Sequence, residues 1–184
     1  MENLDHSLFY LINTLGSTSW LDIFFPAITD LHKSPYFALI VVPLFLGFFI
    51  KDYGKRGLLL FFGLIVCLGL SDFTGGQIKK YFQRARPGDN PEIHAVVKAP
   101  YSGFSFVSNH ATNLFAMATY TSFFVPVLAI PTFAVAGLVA YSRVYNGVHY
   151  PGDVFFGAML GILIAYLICR LIVYFSNRGR TRWF

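Results

Sequence analysis

The sequence predicts an all-α integral membrane bundle of about five to six transmembrane helices, preceded by an N-terminal amphipathic or re-entrant segment. Two observations carry that prediction. Over 184 residues, 55% are hydrophobic and only 12% are charged, whereas a soluble domain carries charge on roughly a quarter of its positions. Those few charges gather in short stretches between long apolar runs, and a helix needs about 20 mostly apolar residues to cross the hydrocarbon core. Mean hydropathy is +0.57. The same figures exclude intrinsic disorder, which requires low hydrophobicity and high net charge. The net charge of +5 would favour nucleic acid in a soluble protein; here it fits anionic lipid or a phosphorylated substrate, and no nucleic-acid partner is expected.

Residues 1–33 form the first element. Leu4, Leu8, Leu11, Ile12 and Leu15 recur at helical spacing among polar residues, and Trp20 to Leu31 is apolar but interrupted by Asp22, Pro26 and Asp30. This reads as an interfacial helical pair, with a sixth crossing as the alternative. Its start has neither the positive region nor the cleavage site of a signal peptide. Span one covers 34–50 and stops at Lys51; span two covers 57–71 and continues helically past Asp72. The stretch 99–142 holds no Asp, Glu, Lys or Arg. It is long enough for spans three and four, broken at Pro126 and Pro131. Span five covers 154–169 and extends to about residue 175. The chain is thus expected to be one domain over 1–184: the N-terminal segment 1–33, a helical core 34–175 and a basic tail 176–184. Cys67 and Cys169 lie inside apolar runs and are expected as buried free thiols. Gly157 and Gly161 make a small-xxx-small pair suited to close helix packing.

Orientation follows from the positive-inside rule. Lys51, Lys55 and Arg56 between spans one and two, and Arg178, Arg180 and Arg182 after span five, fall on one side, which becomes cytoplasmic. The basic loop 79–98 is then outside, against the rule, so its charges are expected to have another task.

Three polar segments share that outer face: Lys79 through Arg86-Pro87, Ser108-Asn109-His110, and Ser142-Arg143 followed by His149 and Asp153. These residue types suit phosphate chemistry. Arg offers planar bidentate donors and Lys a point charge, so Lys79, Arg86 and Arg143 can clamp a phosphoryl group, aided by backbone amides at the helix start near 108–110. Of two histidines, one can attack phosphorus while the other protonates the leaving oxygen. Asp153, four residues after His149, is placed to fix that imidazole's tautomer or to cap the following helix.

Together, Lys79-x6-Arg86-Pro87, Ser108-x-His110 and Ser142-Arg143-x5-His149-x3-Asp153 resemble the signature of the type 2 phosphatidic acid phosphatase (PAP2) superfamily. The resemblance implies that His149 is the nucleophile forming a phosphohistidine, that Asp153 orients it, and that His110 is the general acid and later the base. It implies phosphate binding by Lys79, Arg86, Ser108 and Arg143, with no metal and no cofactor, and Asn109 is expected as a phosphate contact from its place in the same loop. One position departs from the pattern. Asn109 stands where the family usually has glycine, which lets backbone approach a phosphate closely; Asn tolerates the unusual backbone conformations better than most residues.

The expected protein is therefore an inner-membrane lipid phosphatase with its site facing the periplasm or exterior. Its candidate substrates are lipid A 1-phosphate, undecaprenyl pyrophosphate and phosphatidylglycerophosphate. A lipid phosphotransferase using the same phosphohistidine is the alternative, and a non-catalytic transporter is disfavoured because the ionisable groups cluster at one helix end rather than at the midplane. Outside the motifs, Lys80, Arg84 and Lys98 are expected to face headgroups. His6, His32 and His94 read as surface residues, and Trp20, Trp183 and Phe184 as interfacial anchors. Asp72 is either functional or paired with a nearby cation.

Overall fold

The structure is a computed structural model that describes residues 2–29 and 34–178. Among them, the chain forms seven α-helices and no strand: α1 (Glu2–Tyr10), continued by a π-helical turn (Leu11–Leu15), α2 (Ser19–Thr29), α3 (Pro35–Tyr53), α4 (Gly57–Phe82), α5 (Asn109–Phe124), α6 (Ala129–Tyr145) and α7 (Pro151–Arg178). Three stretches are long and apolar enough to cross a membrane: Ala38–Asp89, Pro126–Tyr145 and Pro151–Arg178. The first folds as the pair α3 and α4, reversed at Gly54, whose φ of 57° favours glycine. At about 1.5 Å per residue, α4 and α7 reach about 40 Å, whereas α5 reaches only about 24 Å.

The five predicted spans correspond to α3 through α7. The break between spans three and four lies at Val125–Leu128, where Pro126 opens a short 3₁₀ turn. Pro131, expected to mark the same break, instead occupies the first turn of α6, where a missing N–H costs no helical bond. The last helix runs on through Arg178, so residues 176–178 are helix rather than tail; Arg180, Arg182, Trp183 and Phe184 lie outside the described residues, as do Asp30 and His32.

Short α5 is the axis of the bundle, packed against α4, α6 and α7. Its contact with α7 is the closest because Gly157 and Gly161 offer no side chain there. A Cβ on Gly157 would meet the Ser108 carbonyl oxygen at 2.8 Å, and one on Gly161 would overlap the Thr112 carbonyl. At the end of the bundle away from the motifs, Phe49, Leu60, Leu64, Tyr120, Phe124 and Ala165 form a buried core, and the Tyr120 hydroxyl donates to the Leu60 carbonyl at 2.8 Å. Both cysteines are free and buried. Outward, α7 presents Phe155, Met159, Leu163 and Leu167, all exposed. Such an apolar exterior suits lipid and would be costly in water.

The N-terminal segment docks onto the motif end of the bundle, α1 against α7 and α2 against α6. At eleven residues, α2 is too short for a crossing. Phe9 and Phe25 are buried, and the Asn13 amide donates to the carbonyls of Val96 and Tyr145 at 2.8 Å each. Lys98 was expected to face headgroups. Instead its ammonium is buried against this segment, 3.0 Å from Asp22 and 3.9 Å from the centre of the Tyr145 ring. Trp20 remains exposed and stacks on Phe24. His6, expected at the surface, packs beside the Tyr150 ring with 5.5 Å between centroids.

Candidate active site

The turn between α6 and α7 holds the third motif. Gly147 makes the turn with φ 74°, and a side chain there would collide with the Val96 carbonyl. His149 follows, 2% exposed. Its Nδ1 lies 3.5 Å from Asp153 Oδ2 and 3.4 Å from Ser105 Oγ, and its Nε2 lies 3.3 Å from Arg86 Nη1. Arg86 can only donate, so Nε2 is the acceptor and the proton resides on Nδ1. Burial pushes the His149 pKa down from 6.5 to about 3, and the cationic Arg86 and Lys79 add to that shift against the pull of Asp153. The imidazole is therefore neutral at physiological pH, with its Nε2 lone pair facing a cation.

Asp153 is fully buried and densely bonded. Arg84 donates from Nη1 at 2.7 Å, Ser105 from its hydroxyl at 2.5 Å, and the Tyr150 backbone N–H at 2.9 Å. The last of these is one half of a capping box at the start of α7, so Asp153 both caps its helix and faces His149. Arg84, expected to face headgroups, is thus tied to Asp153, and its other arm donates to Asp5 Oδ2 at 2.6 Å. Asp5 also accepts from the Gly152 N–H at 2.7 Å. Neither Ser105, Arg84 nor Asp5 stood out in the sequence. Only their place in the folded chain marks them, except that Arg84 lies two residues before Arg86.

The first motif follows α4, which ends at Gln83 in the left-handed conformation. The Lys79 ammonium donates to the carbonyls of Phe104 and Ser105 at 2.8 and 3.1 Å. Arg86 donates to those of Ser102, Gly103 and Val148 at 2.8–2.9 Å. These two cations shape the loop over His149 as well as charging it. Lys79 lies within electrostatic reach of Arg86, Arg143, Asp153 and Asp72, which brings the first and third motifs together.

The second motif joins them through backbone. The Ser108 N–H donates to the Asp153 carbonyl at 3.0 Å, so this amide is committed and does not belong to the anion site expected at the start of α5. The Ser108 hydroxyl is buried and takes no partner among the described residues. Asn109 directs its amide to Asp72 Oδ1 at 3.0 Å, beside Gly75, where any side chain would strike it. Asn113 donates to the same oxygen at 3.1 Å. Asp72 is therefore held by two neutral amides, in place of the Arg or Lys partner weighed from sequence. Arg143 is nearly buried and donates from Nη1 to Thr29 Oγ1 at 2.7 Å.

His110 lines a cavity of about 510 Å³ together with Thr29, Asp72, Asn109 and Asn113 at its polar end. Leu68, Leu114, Met117, Leu138 and Val139 form its apolar wall. Two groupings result: His149, Asp153, Arg86 and Lys79 around the buried imidazole, and His110 with Asp72 at the cavity, with Ser108 between them in sequence and in backbone bonding. Among the described residues, no group of three or more His, Cys, Asp or Glu side chains is placed to hold a metal ion.

Comparison with known proteins agrees with this architecture. The lipid A 4'-phosphatase of Porphyromonas gingivalis is 28% identical over 142 residues, covering 73% of this chain, which in turn spans only 58% of that protein. Phosphatidylglycerophosphatase B of Bacillus subtilis is 29% identical over 160 residues, 81% of this chain and 74% of its own length. The crystal structure of LpxE from Aquifex aeolicus superposes with a TM-score of 0.71 at 30% identity, covering 89% of this chain and 93% of that one. The profile of the PAP2 superfamily matches residues 60–177, which contain all three motifs; the chain belongs to the PAP2 superfamily.

Proposed function

We propose that the chain is a membrane lipid phosphatase that transfers the phosphoryl group of a lipid phosphomonoester or pyrophosphate first to His149 and then to water. The observation that carries this reading is the state of His149: neutral, with Nδ1 against Asp153 and the Nε2 lone pair beside Arg86. In the first step Nε2 forms a bond to phosphorus as the bond to the leaving oxygen breaks. His110 donates its proton to that oxygen. In the second step water attacks the phosphohistidine, His110 takes the water proton, the N–P bond breaks and inorganic phosphate departs. Lys79, Arg86 and Arg143 offset the charge that collects on the equatorial oxygens, with the Ser108 hydroxyl and the Asn109 backbone N–H as neutral phosphate contacts. Asp153 stabilises the imidazolium side of the exchange without changing its own protonation.

The family resemblance supports a metal-independent route carried by these residues. The relatives named above are a lipid A 4'-phosphatase and a phosphatidylglycerophosphatase, which supports lipid A and phosphatidylglycerophosphate as candidate substrates beside undecaprenyl pyrophosphate. The whole chain acts as one unit, since Asp5 and Asp153 share Arg84. Lys51, Lys55, Arg56 and Arg178 lie at the opposite helix ends from the site. The positive-inside rule then supports an inner membrane with the site facing the periplasm or exterior.

The test is phosphate release from the three lipid classes by purified protein in EDTA. Turnover of at least one is expected, with an alkaline denaturing quench trapping a phosphohistidine that His149→Ala cannot form. Full turnover by His149→Ala would remove the nucleophile assignment, and activity that vanishes in EDTA and returns with added metal would refute the metal-independent route.

A further inference from the structure

Asp72 is the one acidic side chain among the described residues lining the cavity, and the proposed reaction gives it no role. Buried or lipid-facing carboxylates are costly, so an ionisable group on a spanning helix calls for an explanation. Its surroundings supply one. Asn109 and Asn113, one helical turn apart on α5, both donate to Oδ1, and Gly75 leaves the notch that seats Asn109. The carboxylate is thereby fixed on one oxygen. Oδ2 accepts no hydrogen bond from the described residues, and the side chain is exposed at the cavity.

The position along α4 is equally informative. Asp72 lies seven residues before Lys79, two turns along the same helix face, or about 10 Å along the axis. Leu68 follows one turn further on. Lys79 thus lies two turns beyond the cavity on the motif side, Asp72 and His110 line its polar end, and Leu68, Leu114, Met117 and Val139 form its apolar wall. A lipid phosphate has the same order: phosphate, polar backbone, hydrocarbon.

We infer that Asp72, clamped by Asn109 and Asn113, is a specificity-determining residue that selects a leaving group carrying a hydrogen-bond donor, a hydroxyl or amide N–H, and rejects an anionic one. This deepens the phosphatase reading and rests on it, because the leaving group enters the cavity only if His110 protonates it there. An open carboxylate oxygen accepts from a hydroxyl close to the scissile bond. An apolar leaving group leaves that acceptor unpaired, and sites built to bond a substrate hydroxyl discriminate strongly against analogues that lack it. A diphosphate would bring its leaving phosphate against the carboxylate, a repulsive like-charge contact at hydrogen-bond distance. The selected class is a phosphomonoester on a hydroxyl- or amide-bearing lipid backbone, and the disfavoured one is a polyprenyl diphosphate.

Three probes in detergent micelles separate these cases: a monoacylglycerol phosphate with a free hydroxyl, an alkyl phosphate of equal chain length, and a prenyl diphosphate. For the wild-type chain, kcat/KM is expected to fall by at least about tenfold from the first probe to the second, and again to the third. Asp72→Asn keeps an acceptor but loses the charge; it should retain the hydroxyl preference and raise turnover of the diphosphate by about tenfold relative to the alkyl phosphate. Asp72→Leu should bring the hydroxyl-bearing and alkyl phosphates within about twofold of each other while alkyl phosphate turnover persists. If Asp72→Leu does not elute as a folded species, Asp72→Asn decides alone. Equal wild-type turnover of the first two probes, or an unchanged diphosphate ratio in Asp72→Asn, overturns the inference while leaving the phosphatase reading intact. Absence of wild-type turnover on all three, with none on the three lipid classes above, removes both.

Discussion

Replacing Arg84 with methionine keeps an unbranched apolar stem while removing both arms of a guanidinium that bridges Asp153 and Asp5. The Asp153 carboxylate has no exposure, whereas the Arg84 side chain is 27% exposed. Breaking a fully buried pair costs about 3–5 kcal/mol, but the partial exposure of Arg84 and the remaining donors on Asp153, Ser105 and the Tyr150 N–H, place this side at about 2 kcal/mol. The Asp5 bond, 14% exposed on the carboxylate side, adds about 1 kcal/mol. A total of roughly 3 kcal/mol in a chain of this size lowers Tm by about 6–12 °C. Thermal unfolding in detergent, followed by intrinsic fluorescence, measures it. Asp5→Asn should cost less than half as much, since it leaves the Asp153 bond in place. Phosphate release should drop about tenfold in kcat/KM, because His149 loses part of the support that fixes its tautomer. If Arg84→Met melts within about 1 °C of wild type and turns over fully, Asp153 is held without Arg84, and the reasoning fails.

Two further outcomes test the scaffold and the proposed nucleophile. Gly161→Ala drives a methyl into the Thr112 carbonyl and the Ala116 N–H across the α5–α7 contact; a loss of about 1–3 kcal/mol is expected from overpacking, read as a lowered Tm, and an unchanged Tm would show that the helices can part freely. His149 is held neutral in the fold with its pKa lowered to about 3 against 6.5 for the unperturbed group, so the unfolded chain binds the proton first and stability declines as pH falls from about 6.5 toward 3. His149→Asn should flatten that decline in Tm against pH, and an equally steep decline in the variant would assign the effect elsewhere.

Much of the candidate site could be read from the sequence because the residues of the proposed chemistry stand at fixed spacings. Four residues separate His149 from Asp153, and the turn into α7 converts that interval directly into contact. The helices were equally legible, since an apolar run in lipid has few alternatives to a helix. What escaped was set by side chains that meet across long separations. Arg84 resembles its neighbour Lys80 in sequence, yet Lys80 is exposed while Arg84 turns inward to Asp5 and Asp153. Lys98 lies in an irregular loop with no periodicity to show which way it points, and its partner Asp22 belongs to a segment whose docking onto α6 leaves no local trace. Ser105 is one of several serines in a loop until Asp153 and His149 are brought to it. The Ser108 amide suited an anion site by helix position, but the close α5–α7 crossing commits it to a carbonyl.

The bridge from Asp5 through Arg84 to Asp153 also bears on how the protein is made. Asp5 is synthesised well before its other partner, the Gly152 N–H, which lies 147 positions later. Until the turn into α7 has been synthesised, Asp5 and Arg84 have only each other, and the carboxylate that steadies His149 does not yet exist. A chain stalled after four inserted spans therefore carries the basic loop and His110 but lacks Asp153. On the proposed mechanism, phosphate chemistry waits until the last helix has entered the membrane, and a partly built chain leaves the lipids around it untouched.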